Sequence, residues 1–434
     1  METARPDATP SGRTYLRLIL LAAAIGIPAA LVAAGFLALV HWLEERLWTD
    51  LPDGLGYSSP PWFLVIGLPV VGAAIVVLAR RLLPGDGGHS PLLGIGGGPT
   101  PLAYAPGVAL AALGTLAFGA VLGPEAPLIA LGSAVGMAIT LFVRLGPREE
   151  RVVATAGSFS AIAALFGGPL VAGMLLLEGS VGLGAAAITA LLPGLVSAAV
   201  GYLIFVGLGD WGGLSSAPLT IPDLPTYDET SIRDLVVGLV AGVVVAVVIA
   251  AVRRLATDIE AAQGTRVPMP VLLLGGGLAV GVLAQIAQSL GGESDEVLFS
   301  GQSALPELVA EESVWIVLLV LAAKALAFAI SLGCGFRGGP VFPAVFLGVA
   351  LATIVVILLD VSPTLAVAVG TAAGMAAMTR LLFASLLFSA LLVGTAGIDT
   401  IPAAVFAAAA AWLVSATVDR RREVTAAAAG PPRS

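Results

Sequence analysis

Long apolar segments that carry almost no charge constrain this chain more than any other feature of its sequence. Of the 434 residues, 58% are hydrophobic and only 11% are charged. The charged residues must therefore collect in the short segments that leave a lipid bilayer. We count about thirteen apolar segments, several of them shorter than the roughly 20 residues that a helix needs to cross a membrane. The sequence predicts an all-α polytopic membrane protein in which some helices end inside the protein.

The few reactive side chains exclude several classes of protein. Cys334 is the only cysteine, so the chain has no internal disulfide and no cysteine-based metal cluster. Two histidines leave little for a metalloenzyme, and the net charge of −8 gives no surface for nucleic acid. We therefore expect a protein that is not an enzyme and that needs no metal or cofactor.

The charges at the ends of the apolar segments predict an orientation in the membrane. Arg13 and Arg17 lie near the start of the first apolar segment, residues 16–40, and Arg80 and Arg81 end the second. The segment between them is mostly acidic, and three consecutive arginines follow the last span. The first segment is longer than a signal-peptide core, so we interpret it as a retained helix. By the positive-inside rule, both termini are predicted to be cytoplasmic in a multi-pass protein of the cell membrane.

The most unusual stretch of the sequence is residues 122–131, which read Leu-Gly-Pro-Glu-Ala-Pro-Leu-Ile-Ala-Leu. Glu125 places a carboxylate where a bilayer disfavours it, which makes it a candidate functional group. Proline in a first turn is typical of a helix start, and the free N–H groups there attract anions. The pattern predicts a broken membrane helix with an anion site and a titratable gate. The alternative is a capping glutamate in a loop at the membrane surface.

A short pattern recurs after about half the chain. Residues 127–132 read Pro-Leu-Ile-Ala-Leu-Gly and residues 343–348 read Pro-Ala-Val-Phe-Leu-Gly. The acidic, proline-containing linker between the halves is expected to lie outside, so the halves run in opposite directions across the membrane. We predict an N-terminal tail, a first repeat, an extracytoplasmic linker, a second repeat and a C-terminal tail, with bounds 1–14, 15–208, 209–233, 234–419 and 420–434.

These residues resemble the signatures of the CLC family of chloride channels and proton/chloride antiporters. Residues 123–127 are similar to the family's Gly-Arg-Glu-Gly-Pro, and residues 338–343 are similar to Gly-Gly-x-Phe-x-Pro. Residues 87–91 match Gly-Ser-Gly-Ile-Pro loosely, and residues 166–178 resemble the helix that carries an intracellular acid in the antiporters. The order of the motifs makes the resemblance more specific than any one of them.

The resemblance implies a CLC-like inverted repeat of tilted and broken helices that moves chloride or a similar small anion. Glu125 would be the external gate, whose carboxylate occupies an anion site and leaves it when protonated or displaced. Ser90 would offer its hydroxyl at the inner end of the pathway. Ala126, Val341 and Phe342 would supply the anion-binding N–H groups. The family likeness also implies a homodimer with one pathway in each subunit, without the cytoplasmic nucleotide-binding module of many relatives.

Departures from the family pattern bear on the mode of transport. Pro124 replaces the arginine of the first signature, and Pro340 has no N–H where the family often has a donor. The antiporter acid falls on Gly179, with Glu178 one position early, and none of the five tyrosines lies in the C-terminal region. We therefore expect channel-like or weakly proton-coupled flux. The alternative is a proton/chloride antiporter, with Glu178 as a possible proton relay, although Glu178 is equally compatible with a helix-end residue.

Two other classes of protein remain as alternatives. An intramembrane hydrolase would need a Ser/His pair or two facing aspartates within its spans, and the spans show no such pair of aspartates. A scaffold without transport activity would need neither Glu125 nor the paired Gly/Pro breaks. We interpret His89 as a turn residue, and we expect Lys324 to extend to the membrane surface or to pair with an acidic group.

Overall fold

The computed structural model describes residues 12–94, 98–163, 165–179, 185–209, 211–214, 219–263 and 266–429. These residues form seventeen α-helices with short π- and 3-10 turns, and they contain isolated β-bridges but no β-strand. The helices are α1 Gly12–Glu45, α2 Leu51–Gly54, α3 Trp62–Leu82, α4 Ala105–Leu116, α5 Glu125–Ala138, α6 Pro147–Ala163, α7 Pro169–Gly179, α8 Ala185–Val206, α9 Ile232–Glu260, α10 Met269–Ser289, α11 Ser294–Val297, α12 Leu305–Ala310, α13 Val314–Cys334, α14 Val341–Leu359, α15 Pro363–Thr379, α16 Leu382–Val393 and α17 Ile401–Ala429.

Eight segments of the described residues are long and apolar enough to cross a membrane, so the chain is a multi-pass membrane protein. Four more apolar helices of the described residues have only 10–17 residues. They begin at Leu102, Glu125, Pro169 and Pro363. A helix of 14 residues rises only about 21 Å, which is less than the hydrocarbon thickness of a bilayer. The prediction that some helices end inside the protein is confirmed.

Glycine and proline produce the breaks between these shorter helices. An interruption at residues 167–169 separates α6 from α7, where Gly167 and Gly168 have φ of +68° and +147°. Such angles disfavour residues that carry a Cβ. A second break lies between the end of α4 and Glu125, the first residue of α5. The second break agrees with the broken helix that the sequence predicts at Glu125.

The two halves of the chain pack their helices in the same scheme. In the first half α5 packs on α6, and α8 packs on α1 and α6; in the second half α14 packs on α15, and α17 packs on α9 and α15. Gly132 faces Gly157 between α5 and α6, and Gly348 faces Gly370 between α14 and α15. A Cβ at any of these four glycines would overlap the opposite backbone, so each pair brings two helices into close contact.

Lys324 does not extend to the membrane surface, so that part of the expectation was wrong. Its side chain is fully buried, and its Nζ donates to the carbonyl oxygens of Glu296, Val297 and Leu298 at 2.7, 3.3 and 2.9 Å. The same Nζ lies 4.4 Å from the centre of the Phe346 ring. Lys324 therefore satisfies the carbonyl groups at the end of the short helix α11, where a cation is favoured by the helix dipole.

Candidate functional site

Two helix N-termini, one from each half of the chain, meet at the centre of the candidate site. Helix α5 begins at Glu125 after the N-cap Pro124, and helix α14 begins at Val341 after the N-cap Pro340. The residues before them, Gly123 and Gly339, form an isolated antiparallel bridge. Both segments read Gly-Pro-x-x-Pro, which extends the predicted repeat upstream by four residues. The positive ends of two helix dipoles therefore lie close together.

The Glu125 carboxylate occupies the space between these helix starts. Glu125 is fully buried, and its Oε1 accepts hydrogen bonds from the N–H groups of Val341 at 2.8 Å and Phe342 at 3.1 Å. Its Oε2 is buried and has no hydrogen-bond partner among the described residues. The donors are neutral amides at the start of a helix, the kind of group that also binds free anions. The carboxylate of the first half thus accepts from N–H groups at a helix start of the second half.

Two glycines make room for this carboxylate. A Cβ added to Gly123 or to Gly339 would overlap Glu125 Oε2, and it would meet no closer atom than that oxygen. Neither glycine has a positive φ, so the constraint there is space rather than backbone conformation. The Gly-Pro pairs of both halves therefore serve one site, because each glycine leaves space for the carboxylate and each proline precedes a helix start.

Three buried phenylalanine rings pack beside the anion site. Phe342, whose N–H bonds to Glu125, stacks on Phe166 with ring centres 5.9 Å apart. Phe388 contacts both rings edge to face, at 5.3 Å from Phe166 and 5.6 Å from Phe342. The three rings come from α14, α16 and the turn before α7. One wall of the site is therefore apolar and closely packed.

Ser90 lies apart from this group of residues. It is in the loop between α3 and α4, and its hydroxyl donates to Glu260 Oε1 at 3.0 Å. Its oxygen also accepts, at 3.4 Å, from the N–H of Leu92. Glu260 is the last residue of α9 and was not singled out in the sequence. The structure thus joins the predicted inner ligand to a second carboxylate.

The remaining predicted residues have defined places. Ala126 is the second residue of α5, where first-turn N–H groups lack an intrahelical acceptor. His89 is a loop residue, with Nε2 at 3.3 Å from the carbonyl oxygen of Gly94.

Glu178 lies in the last turn of α7, and its carboxylate accepts from the first N–H groups of α16. The donors are Leu382, Phe383 and Ala384 at 3.1, 3.0 and 2.8 Å.

A charged cluster beside Ser90 was missed in the sequence. Arg80 holds the Asp86 carboxylate with Nε and Nη2 at 2.9 and 3.0 Å, and it donates to the carbonyl oxygen of Gly335 at 3.1 Å. Arg337 donates from Nη2 to the same carboxylate and from Nε to the Asp86 carbonyl oxygen. Arg337 and Glu260 also attract each other. Arg80, Arg337 and Glu260 therefore contact the loop that carries Asp86 and Ser90.

Comparison with known proteins agrees with this architecture. The family model described as voltage gated chloride channel matches residues 92–416. A relative named "Putative ion-transport protein YfeO" from Escherichia coli (strain SMS-3-5 / SECEC) is 30% identical over 353 residues, with 79% of each chain covered. The protein of that name from Shigella boydii serotype 4 is 31% identical over 355 residues, with the same coverage.

Solved structures with the same fold cover nearly the whole chain. A slow cyanobacterial Cl−/H+ antiporter has a TM-score of 0.75 at 18% identity, and the match covers 95% of this chain and 96% of that one. A CLC-type fluoride/proton antiporter has a TM-score of 0.73 at 22% identity, with 94% and 98% covered. The family model matches more than half of the chain. The fold of the chain is that of these antiporter structures, one of which is of the CLC type. This chain belongs to the voltage gated chloride channel family.

Proposed function

We propose that this protein carries chloride or a similar small anion across the membrane, with Glu125 as a gate that competes with the anion. The observation that supports the proposal is the pair of N–H groups, from Val341 and Phe342, that Glu125 Oε1 accepts. A carboxylate oxygen and a halide need the same partners, namely unpaired N–H groups at a helix start. Both cannot occupy these donors at once, so the anion must displace the carboxylate or wait until it leaves.

The chemistry of the donors suits transport better than tight binding. The groups that face Glu125 Oε1 are neutral amides, and the helix dipoles behind them provide only partial positive charge. An anion held by partial charges can leave quickly, whereas a buried ammonium or guanidinium would retain it. Pro340 has no N–H, so the second helix start offers donors only from Val341 onward.

The expected mode of transport is channel-like or weakly proton-coupled. Glu178 supports this mode, because its two carboxylate oxygens accept three N–H groups of α16 and so have a structural role. Gly179, where the antiporter acid falls, has no side chain that could carry a proton. The alternative is proton/chloride exchange, and its support is that two structures of this fold are of proton-coupled antiporters.

We place the protein in the cell membrane as a homodimer, with both termini and the Ser90 loop on the cytoplasmic side. The charge pattern supports this orientation, because Arg80 and Arg81 end α3 and three arginines lie in the last helix. The linker between the halves, with Asp223, Asp228 and Glu229, would then face outward. The homodimer, with one pathway in each subunit, rests on the family resemblance.

Chloride efflux from proteoliposomes tests the proposal. Purified protein is reconstituted at high internal potassium chloride, and release into low chloride is followed with valinomycin present. We expect release well above that from protein-free vesicles. Glu312→Gln, which changes an exposed loop residue, should release chloride at the wild-type rate. Release no faster than from protein-free vesicles, for chloride and for fluoride alike, would reject anion transport.

A further inference from the structure

Ser90 has one hydroxyl hydrogen, and that hydrogen is already engaged. An ionised carboxylate can only accept, so the 3.0 Å contact requires Ser90 to donate to Glu260 Oε1. A hydroxyl that donates to Glu260 cannot donate to an anion at the same time. The arrangement repeats at the inner end the relationship of Glu125 to Val341 and Phe342, in which a carboxylate occupies anion donors.

Glu260 lies where a carboxylate is disfavoured unless something compensates for its charge. It is the final residue of α9, and the C-terminal end of a helix carries partial negative charge. The compensation comes from Arg337, which attracts Glu260, and from the Ser90 hydroxyl. Burial, with the nearby charge of Arg337, lowers the pKa of His89, so that ring adds no cation at pH 7. The Ser90 hydroxyl, which comes from the first half of the chain, is the hydrogen-bond partner of this acid.

The cluster around Glu260 is connected to the Glu125 site by a short piece of backbone. Arg337 is two residues before Gly339, so their Cα atoms are at most about 7 Å apart. Gly339 in turn pairs with Gly123 beside Glu125. Arg80 and Arg337 balance the charges of Asp86 and Glu260. Removal of the Glu260 charge would leave this cluster with a net positive charge beside a free hydroxyl.

From these contacts we infer that Glu260 is a second, inner gate, whose carboxylate occupies the Ser90 hydroxyl and must release it before an anion binds there. The inference rests on the proposed anion transport. It assigns a role to a residue outside the Glu125 site, and it predicts that the anion meets a competing carboxylate at each end of its path. Glu125 would control the end formed by α5 and α14, and Glu260 the end formed by the Ser90 loop.

Chloride binding to the purified full chain tests this inference. Isothermal titration with potassium chloride is compared for the wild type, Glu260→Gln, Glu260→Ala and Ser90→Ala. Loss of the competing carboxylate should tighten chloride binding by about tenfold in Glu260→Ala and by less in Glu260→Gln, whose amide oxygen can still accept from Ser90. Ser90→Ala should weaken it. Asp258→Asn removes a charge from the same end of α9, at an exposed pair with Arg254, and it should change affinity less than about twofold.

The double variant separates competition for Ser90 from a general change in charge. If Glu260 acts by occupying the hydroxyl, most of the gain from Glu260→Ala should disappear in the Ser90→Ala background. A gain of the same size there, or unchanged affinity in both Glu260 variants, would overturn the inner gate. Wild-type chloride efflux in liposomes shows whether the proposed anion transport or only the inner gate has failed. Wild-type flux with unaffected Glu260 variants rejects the inner gate alone, whereas absence of wild-type flux rejects the proposed function and the gate together.

Discussion

Gly123 and Gly339 donate their backbone N–H groups to each other's carbonyl oxygens, at 2.7 and 2.6 Å, although they lie in opposite halves of the chain. This reciprocal pair fixes the starts of α5 and α14 relative to one another. It also leaves room for the carboxylate of Glu125, because neither residue has a Cβ. The proposed gate therefore needs two glycines as well as the acid.

Gly339→Ala should open the gate. The new Cβ would overlap Glu125 Oε2, and a flexible carboxylate yields more readily than backbone. We expect the side chain to leave the donors of Val341 and Phe342, so that chloride efflux at pH 7 approaches that of Glu125→Gln. In the Glu125→Gln background the change should add little, because no charge remains to displace. Gly275→Ala, on a face of α10 with nothing within 4 Å, is the matched control and should leave efflux unchanged.

Glu178→Ala should weaken the fold and spare anion flux. The variant removes the acceptor for three N–H groups at the start of α16, and loss of such a cap costs about 1–2 kcal/mol. Thermal unfolding in detergent should show a lower midpoint, whereas chloride efflux per folded protein should stay near the wild-type rate. Glu178→Gln should recover part of the stability, because its amide oxygen can still accept.

The same residue distinguishes channel-like flux from proton exchange. An imposed chloride gradient should drive little or no uphill proton movement in wild-type proteoliposomes. Strong uphill pumping that disappears in Glu178→Gln would instead assign Glu178 as the proton relay and the protein as an antiporter.

Lys324→Met should destabilise the protein without changing the anion site. Methionine keeps most of the apolar volume but leaves the carbonyl groups of Glu296, Val297 and Leu298 without their donor. A loss of about 1–3 kcal/mol is expected for such unpaired buried groups. Leu326→Met, at a more exposed position of α13, controls for the change of side chain. Equal unfolding midpoints for both variants would mean that the ammonium group contributes nothing.

The sequence predicted a functional acid at Glu125 because its signals are local. An acid between Gly and Pro within an apolar run can be recognised without tertiary contacts, and so can the repeated pattern at residues 127–132 and 343–348. Val341 and Phe342 were expected from the family resemblance. The partners of Ser90, Glu178 and Lys324 could not be found in this way. Glu260 lies 170 residues from Ser90 along the chain, at the last residue of α9. Only the packing of the two halves brings these groups together.

The pH dependence of chloride efflux in wild type and Glu125→Gln tests the gate most directly. Protonation removes the negative charge that competes with the anion, so wild-type efflux should rise as the pH falls from about 7.5 to about 4.5, toward the ordinary pKa of a glutamate. Glutamine keeps the size of the side chain without the charge. Efflux of Glu125→Gln should therefore be high and nearly constant over this range. If Glu125→Gln keeps the wild-type pH dependence, Glu125 is not the gate.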